Sequence, residues 1–287
     1  MIVGLCVSLA DAQWARIEPL LPDRTPKRGG RWRDHRQVID AIAFKYRTGT
    51  PWMDLPERFG SWTGAYSRLR MWAIDGTWER VFAALLAEAD AEEDLDWVVS
   101  VDSTIVRAHQ HAAGARQKGL RQASRPNHAL GRSRGGLTTK IHLASDGRCR
   151  PLAFVLTPGQ AGDAPAFPQV MAAIRVARPQ GRPRTRPVSV LADKAYSSRA
   201  IREHLRRRRI RAVNPQPADQ IANRRRLGRK GGRQPAFDRE VYKQRNTVER
   251  CINKLKQWRG LATRYDKTAT AYQAALHLAA IYIRAAR

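Results

Sequence analysis

Apolar residues recur at intervals of three and four positions through the first hundred residues, which is the spacing of amphipathic helices. The spacing is clearest between Asp34, a residue suited to cap a helix, and Gly49, a residue suited to end one. The pattern predicts several short helices joined by turns that contain glycine. This arrangement is compatible with a helix-turn-helix unit, with residues 63–74 as its reading helix.

From Trp97 onward the pattern changes to short apolar runs rich in β-branched residues. The Asp146-Gly147 pair between two such runs predicts a β-hairpin. The predicted strands are residues 97–106, 137–144, 151–157, 188–192 and 210–213. Three antiparallel strands followed by strand–helix units form the ribonuclease-H-like pattern. We therefore expect an α/β fold, a ribonuclease-H-like mixed β-sheet with flanking helices, preceded by a small all-α, helix-turn-helix-like region.

The segment 242–256 has no Gly or Pro in its interior and predicts one continuous helix. On a helical wheel of ~100° per residue, one stripe of this helix combines an aromatic, two basic and one acidic side chain: Tyr242, Arg245, Glu249 and Lys256. The neighbouring stripe is apolar and is predicted to face a core: Val248, Ile252 and Leu255. From this position alone, Glu249 is either a surface ion-pair partner or an acid held at a reaction centre.

Charge divides the chain near the end of the helical region. Residues 1–100 carry 13 Lys and Arg against 15 Asp and Glu, whereas the whole chain has a net charge of +28. A basic domain of this kind implies a polyanionic partner. Nucleic acid is the leading candidate, and an anionic membrane is the weaker one because no long apolar span is evident. We expect a helical DNA-binding domain over residues 1–95 and a basic α/β domain over residues 96–287.

Several basic side chains are candidate DNA contacts. Arg68 and Arg70 lie on the predicted reading helix, and their alternative is to be solvated surface residues. Residues 132–136 and 221–234 are predicted to be basic loops, the second of them flexible. For the second loop we expect ordering on DNA, and the alternative is a disordered arm that binds phosphates without specificity. The candidates in the loops are Arg132, Arg134, Arg224, Arg225 and Arg226.

The cysteines indicate a reducing compartment. Cys6, Cys149 and Cys251 are far apart and match no zinc-binding spacing. Unpaired cysteines suit the cytosol, and the first ten residues lack the basic and long apolar regions of a secretory signal. We expect a cytoplasmic protein.

Acidic residues are scarce in the basic half, so each can be weighed. Most have ordinary places in the predicted structure, such as Asp146 in a hairpin turn and Asp163 at a helix start. Three remain: Asp102 inside an apolar strand, Asp193 at the carboxyl end of another, and Glu249. A carboxylate in a hydrophobic strand is costly without a cation, and three that meet would hold a divalent metal such as Mg²⁺. The alternative is that Asp102 and Asp193 each pair with an arginine.

The spacing of the stripe on segment 242–256 resembles the Y-R-E-K signature of bacterial insertion-sequence transposases of the DDE type. Further motifs follow the order of the IS-five-like group and extend the resemblance over residues 8–287. They are LADAQWARIEPLLP, RTGTPWMDLPERFGSW, VDSTIVRAH, GRSRGGLTTKIHL, TPGQAGDAPAF and LADKAY. In one departure, Ala195 stands where such proteins commonly have glycine.

The resemblance implies roles for individual residues. The implied catalytic residues and metal ligands are Asp102, Asp193 and Glu249, with two Mg²⁺ ions that Mn²⁺ could replace. The implied contacts with DNA ends are Tyr242, Arg245 and Lys256. Two lysines within the matching motifs, Lys140 and Lys194, are further candidate DNA contacts.

The implied reaction is transposition. Water cleaves the phosphodiester at the ends of the element, and the freed 3′-OH then attacks target DNA. The expected partners are double-stranded DNA, as terminal inverted repeats and as target, and a second copy of the chain in a synaptic dimer. The expected location is the nucleoid of a bacterial cell, without any membrane partner. The alternatives are a metal-dependent nuclease of the same fold and a catalytically inactive DNA-binding derivative.

Overall fold

The computed structural model of the chain describes residues 8–24, 32–113 and 128–286. Cys6 and the predicted start of the chain lie outside these ranges. The helices are α1 (Asp11–Ile17), α2 (His35–Thr48), α3 (Trp62–Ile74), α4 (Thr77–Ala91), α5 (Gln110–Ala113), α6 (Asp163–Ala173), α7 (Arg199–Arg207), α8 (Ala218–Arg226), α9 (Arg239–Lys243), α10 (Asn246–Lys256), α11 (Arg259–Ala262) and α12 (Ala269–Ala285). The strands are β1 (Val98–Ala108), β2 (Gly131–Ser133), β3 (Gly136–Ser145), β4 (Pro151–Pro158), β5 (Ser189–Ala192), β6 (Arg211–Val213) and β7 (Thr263–Arg264).

The strands form one mixed sheet with β1 at its centre. β3 pairs antiparallel with β1 and with β4, whereas β1, β5 and β6 run parallel to one another. The path from one edge is therefore β4-β3-β1-β5-β6, and β2 and β7 add short pairings to β3 and β1. Three antiparallel strands followed by two parallel ones confirm the predicted ribonuclease-H-like sheet.

The β3–β4 hairpin turn is tied to the last helix by a buried ion-pair network. Asp146 is fully buried and accepts a hydrogen bond from Nε of Arg150 at 2.9 Å. Arg284 of α12 donates to the carbonyl oxygen of Pro151 at 2.8 Å and lies 3.5 Å from the Asp146 carboxylate. The turn predicted from Asp146-Gly147 is confirmed, and its aspartate also fixes α12 against the sheet.

The N-terminal helices pack on α12 and share its hydrophobic core. Leu69 and Trp72 of α3, Leu85 of α4 and Leu278 of α12 are buried in one continuous cluster with sheet residues such as Leu143. The helix boundaries follow local signals: Asp34 accepts a hydrogen bond from the backbone N–H of Gln37, and Gly49 has a left-handed φ of 76°. The division at residues 95 and 96 stays a prediction, and packing across it is continuous.

Two local predictions are wrong. The segment predicted as a loop over residues 221–234 contains α8 and a 3₁₀ turn, Gly228–Gly231. Arginine is a good helix former, and Asp219 in the first turn complements the helix dipole, so a basic composition did not imply a loop here. The basic segment at residues 132–136 includes part of β2, which pairs with β3.

The helix predicted over residues 242–256 is interrupted at Arg245, between α9 and α10. The backbone N–H of Arg245 donates to the carbonyl of Tyr242 at 2.9 Å, and that of Val248 donates to the carbonyl of Arg245 at 3.1 Å. Both bonds span three residues, so the chain tightens locally into a 3₁₀ turn. Despite this interruption, Arg245 lies 2.7 Å from Glu249, its neighbour on the predicted stripe.

Within the described ranges, no helix is both long and apolar enough to cross a membrane. Cys149 and Cys251 are buried free thiols.

Candidate active site

The register of two parallel strands places Asp102 beside Asp193. The last paired residues of β1 and β5 are Val101 and Ala192, and each is followed directly by its aspartate. Because neighbouring strands lie ~4.8 Å apart and in-register residues point to the same face, the two carboxylates lie side by side at the carboxyl edge of β5. The predicted position of Asp193, immediately after a buried strand, is confirmed.

Glu249 is presented by α10, whose apolar face packs on the sheet. Val248 and Leu255 are buried, as the stripe predicted, while the Glu249 side chain is 49% exposed. Thr247 donates a buried hydrogen bond from its hydroxyl to Ser100 Oγ of β1 at 3.0 Å. Thr247 lies two residues before Glu249, and Ser100 lies two residues before Asp102. Their hydrogen bond therefore fixes the position of α10 along β1.

Arg245 connects two of the three predicted acids. One guanidinium nitrogen lies 2.7 Å from Asp102 Oδ2, and another lies 2.7 Å from Glu249 Oε1. In the part of the chain that the structure describes, Asp193 has no ion pair, and its Oδ1 accepts a hydrogen bond from the backbone N–H of Ala195 at 2.9 Å. The arginine-pairing alternative therefore describes Asp102 and does not describe Asp193.

The charge of Asp102 interacts with the charges of both other acids. Burial raises the pKa of Asp102, and repulsion from Asp193 and Glu249 raises it further, against the lowering effects of the Ser103 backbone N–H and of Arg245. Burial lowers the pKa of Arg245, but attraction to Asp102 and Glu249 outweighs it and raises the value. Among the described residues no three acidic, His or Cys side chains converge as a preformed metal site, and Arg245 contacts both Asp102 and Glu249.

The opposite face of β1 carries a second polar cluster, centred on Asp163. Ser103 donates to Asp163 Oδ1 at 2.6 Å, and Lys140 Nζ donates to the same oxygen at 3.0 Å and to the carbonyl of Ala161 at 2.7 Å. Lys140 is only 9% exposed. The prediction that Lys140 contacts DNA does not fit this position, because its ammonium group is hydrogen-bonded to residues at the start of α6.

Arg68 is likewise a structural residue. It is 8% exposed, donates to His35 Nδ1 at 2.9 Å and lies over the ring of Trp32 at 4.0 Å. The helical period placed it correctly on α3, but its side chain faces inward and cannot contact DNA. Arg70, two positions later, is exposed.

The remaining candidate DNA contacts lie at the surface or partly exposed. Lys194, in the turn after Asp193, is exposed, whereas Tyr242 and Lys256 are half-buried on the two sides of Glu249. Arg132 and Arg134 line a surface cavity with Arg107. On α8, Arg225 and Arg226 are exposed, and Arg224 donates to the carbonyl oxygens of Gly231 and Arg233.

The hydrogen bond from Ser103 to Asp163, on the face of β1 opposite Asp102, was not predicted from the sequence. The sequence pattern predicts only a helix start at Asp163. The available signal was the alternation within β1: Ser103 follows Asp102, so its side chain points to the opposite face and requires a polar partner there.

Two family models match this chain. The model described as "Putative transposase of IS4/5 family" matches residues 9–82, and the model described as "Transposase DDE domain" matches residues 93–284. The second match covers well over half of the chain. The chain belongs to the DDE transposase family.

Several individual proteins are similar to parts of the chain. The "Putative transposase for insertion sequence element IS6501" of Brucella ovis is 31% identical over 147 residues, which cover 51% of this chain and 98% of the relative. The protein y4sN of Sinorhizobium fredii is 42% identical over 112 residues, which cover 39% of this chain and 86% of the relative. Among solved structures, the catalytic domain of Mos1 mariner transposase is 16% identical with a TM-score of 0.27, covering 62% of this chain and 86% of that domain. The transposase family makes this chain an enzyme that acts on DNA.

Proposed function

We propose that this transposase binds the terminal inverted repeats of an insertion sequence, cleaves the DNA there and joins the 3′-OH ends to target DNA by Mg²⁺-dependent transesterification. One observation carries the proposal: Asp102 lies within β1 at the level where the neighbouring parallel strand β5 ends and Asp193 follows, and Glu249 shares a cation with Asp102. Two Asp and one Glu at one edge of a sheet form the acid set that the family signature implies.

The acids fit a hard divalent cation. Their oxygens are the ligand type that Mg²⁺ prefers, and the guanidinium of Arg245 at 2.7 Å from both Asp102 and Glu249 shows that these two side chains reach a common positive centre. Asp102, Asp193 and Glu249 would hold the metal, and two ions are expected, with Mn²⁺ as a substitute. When bound, such ions lower the pKa of a water and offset charge on the leaving oxygen.

Arg245 must leave at least one carboxylate before that carboxylate can hold a metal. The phosphate of a DNA end is the natural new partner, because arginine binds phosphates in the same bidentate geometry as carboxylates. We place Tyr242 and Lys256 beside the same DNA end, since they flank Glu249. Burial lowers the pKa of Lys256, and a phosphate near its ammonium group would restore it.

The exposed cations away from the acids are proposed to hold the duplex through its phosphates: Arg70, Arg132, Arg134, Lys194, Arg225 and Arg226. Contacts of this type position DNA and carry no sequence information by themselves. Joining two ends to one target requires two catalytic centres, so we propose a homodimer in the synaptic complex, at work on DNA of the bacterial nucleoid. Light scattering of the protein with and without its end DNA tests the dimer.

The test of catalysis uses the DNA that flanks the gene as end substrate and a supercoiled plasmid as target, with Mg²⁺. Asp102→Asn, Asp193→Asn and Glu249→Gln should each remove both cleavage and joining while end binding persists. Asp219→Asn, an exposed aspartate on α8, is the matched control and should behave as wild type. Joining at the wild-type rate by any of the three variants would falsify the assignment. Cut ends without joined product would instead favour the nuclease.

A further inference from the structure

Helices α7 and α8 and the turn after α8 enclose a cationic cleft of about 470 Å³. Six cations line it, and the single carboxylate among its lining residues, Glu203, is neutralised by Arg199 at 2.7 Å. We call this surface the α7–α8 cleft. Its cations are Arg199, Arg202, Arg206, Arg224, Lys230 and Arg233.

Two of these guanidinium groups are fixed in place by backbone carbonyls. Arg202 donates to the carbonyls of Ser197 at 3.3 Å and Asn214 at 3.0 Å. Arg224 donates to those of Gly231 at 2.8 Å and Arg233 at 3.1 Å, which holds the turn closed around the cleft. The carbonyls orient these cations but carry no net negative charge to compensate them.

Five of the six cations of the cleft therefore have no carboxylate partner within the described residues. Burial lowers the pKa of Arg202, and the nearby charge of Arg224 lowers it further. Nε of Arg224 is buried and has no hydrogen-bond partner within the described residues. Cations that are held together without a carboxylate repel one another, and an anion that enters the cleft relieves this repulsion.

The cleft lies next to the predicted catalytic acids along the chain. Asp193 ends β5, the turn Lys194–Tyr196 follows, and Ser197 is already part of the cleft wall. Ser198 then caps α7, so the positive end of the dipole of that helix faces the same edge of the sheet as Asp193. The wall of the cleft therefore begins four residues after Asp193.

We infer that the α7–α8 cleft binds the phosphodiester backbone of double-stranded DNA beside the site of cleavage. The inference rests on the proposed function for the identity of the polyanion. Arg206, Lys230 and Arg233 form an exposed rim, and an open rim of separate cations suits successive phosphates of one strand. Contacts of this type fix the path of the duplex and lower its affinity as salt rises.

The experiment compares two double variants with the same change in net charge. Arg206→Gln with Lys230→Gln removes two rim cations of the cleft. Arg207→Gln with Arg229→Gln removes the exposed neighbours of the same two residues, which do not line the cleft. Binding to a random-sequence duplex is measured in EDTA at several salt concentrations.

The cleft pair should weaken binding about tenfold and reduce the slope of log K against log salt by about 2, whereas the control pair should change affinity less than about twofold. Equal losses in both pairs would show that only net charge matters and would overturn the inference. Unchanged binding in the cleft pair would overturn it too.

A free anion is the other source of the same chemistry. Inorganic phosphate is therefore added to the wild type while its thermal unfolding is followed. Stabilisation by phosphate that the cleft pair abolishes, together with unchanged DNA affinity in that pair, would make the cleft a small-anion site and contradict DNA binding.

Cleavage by the same variants separates this inference from the proposed function. Loss of DNA affinity in the cleft pair supports the cleft even if no variant, nor the wild type, cuts DNA. Conversely, a cleft pair that binds as wild type, alongside an Asp102→Asn variant that has lost cleavage, refutes the cleft and leaves the proposed function intact.

Discussion

Two clusters of acids and bases in this transposase are built in opposite ways. At the sheet edge, Asp102 and Glu249 share one cation, Arg245, and Glu249 remains about half exposed. Asp193 has no ion pair within the described residues and accepts a hydrogen bond from the backbone N–H of Ala195. Beneath the N-terminal helices, the single acid Asp266 is surrounded by positive or donating groups. Its Oδ1 accepts a hydrogen bond from the hydroxyl of Tyr46 at 2.9 Å, and the charges of Lys45 and Arg264 also stabilise its ionised form.

The charges of the buried cluster face protein groups, although Oδ2 of Asp266 is buried without a hydrogen-bond partner within the described residues. Arg264 is fully buried and donates to Thr139 Oγ1 at 2.6 Å and to the carbonyl of Asp266 at 2.9 Å. The ammonium group of Lys45 lies over the rings of Tyr46 and Tyr265, at 4.5 and 5.5 Å from their centroids. Each charge therefore has a protein group that solvates it, and the cluster joins α2 to the C-terminal part of the chain.

The difference teaches that an excess of acid over base, at an open edge, distinguishes the proposed reaction centre from a structural cluster. The sheet-edge cluster needs additional positive charge, whereas the buried cluster has enough. The same substitution, Asp to Asn, should therefore affect chemistry in one cluster and stability in the other.

The largest expected effect follows Asp102→Asn. Loss of this proposed metal ligand should remove several kcal/mol of transition-state stabilisation, so strand cleavage should fall at least about a thousandfold. The free energy of unfolding should change by less than about 1 kcal/mol, because the pair with Arg245 is partly exposed. Cleavage kinetics measure the loss of activity, and urea denaturation measures the free energy of unfolding. Strong destabilisation without loss of cleavage per folded molecule would make this cluster structural.

Asp266→Asn should do the reverse. It removes the acid from a buried site and leaves Lys45 and Arg264 without a counter-charge, which should lower the free energy of unfolding by about 3 kcal/mol. Cleavage per folded molecule should not change. Asp219→Asn, at the surface, should leave the urea midpoint of wild type in place. A stable Asp266→Asn variant would show that the buried cations are solvated by carbonyls and rings alone.

His277 tests how dry the interior beneath the N-terminal helices is. Its ring stacks on Phe82 at 5.5 Å, and burial lowers its pKa to about 4. The pKa of His277 is lower in the folded state than in the unfolded state, so protonation favours unfolding. The stability gained by burying the neutral ring is therefore fully present above about pH 6.5 and is lost as the pH falls towards 4. Between pH 8 and 4.5, wild type should lose roughly 2 to 3 kcal/mol more than His277→Phe. Parallel pH profiles of the free energy of unfolding would contradict this burial.

The smallest effect is expected for Arg245→Gln. Its guanidinium offsets repulsion among the three acids, so the variant should unfold about 1 kcal/mol more easily in EDTA. Added Mg²⁺ or Mn²⁺ should stabilise the variant more than wild type, since the cation no longer competes with an arginine. Thermal unfolding with and without metal measures this. Arg250→Gln, an exposed neighbour on α10, is the control, and equal metal effects in all three proteins would exclude competition.

Much of the fold was predictable because its signals are local. Several correctly predicted features depend on residues only a few positions apart. They are the helix cap at Asp34, the left-handed Gly49, the Asp146-Gly147 hairpin and the apolar stripe that includes Val248. The positions of Asp102, inside an apolar strand, and of Asp193, at the carboxyl end of another, followed from the short apolar runs around them. The 3₁₀ turn at Arg245 could not be predicted in this way, because the sequence around it has no helix-breaking residue.

By itself, the sequence determined the order of the strands and helices, the basic surface and the three acids of the proposed active site. Only the tertiary structure decided which basic residues pair with those acids and which are buried in the interior. Arg68 and Lys140 are basic residues like any other in the sequence, yet they are buried against His35 and Asp163. Arg245 reaches Asp102 across 143 positions of the chain. Charge partners of this kind depend on packing between distant elements, and no local pattern records such packing.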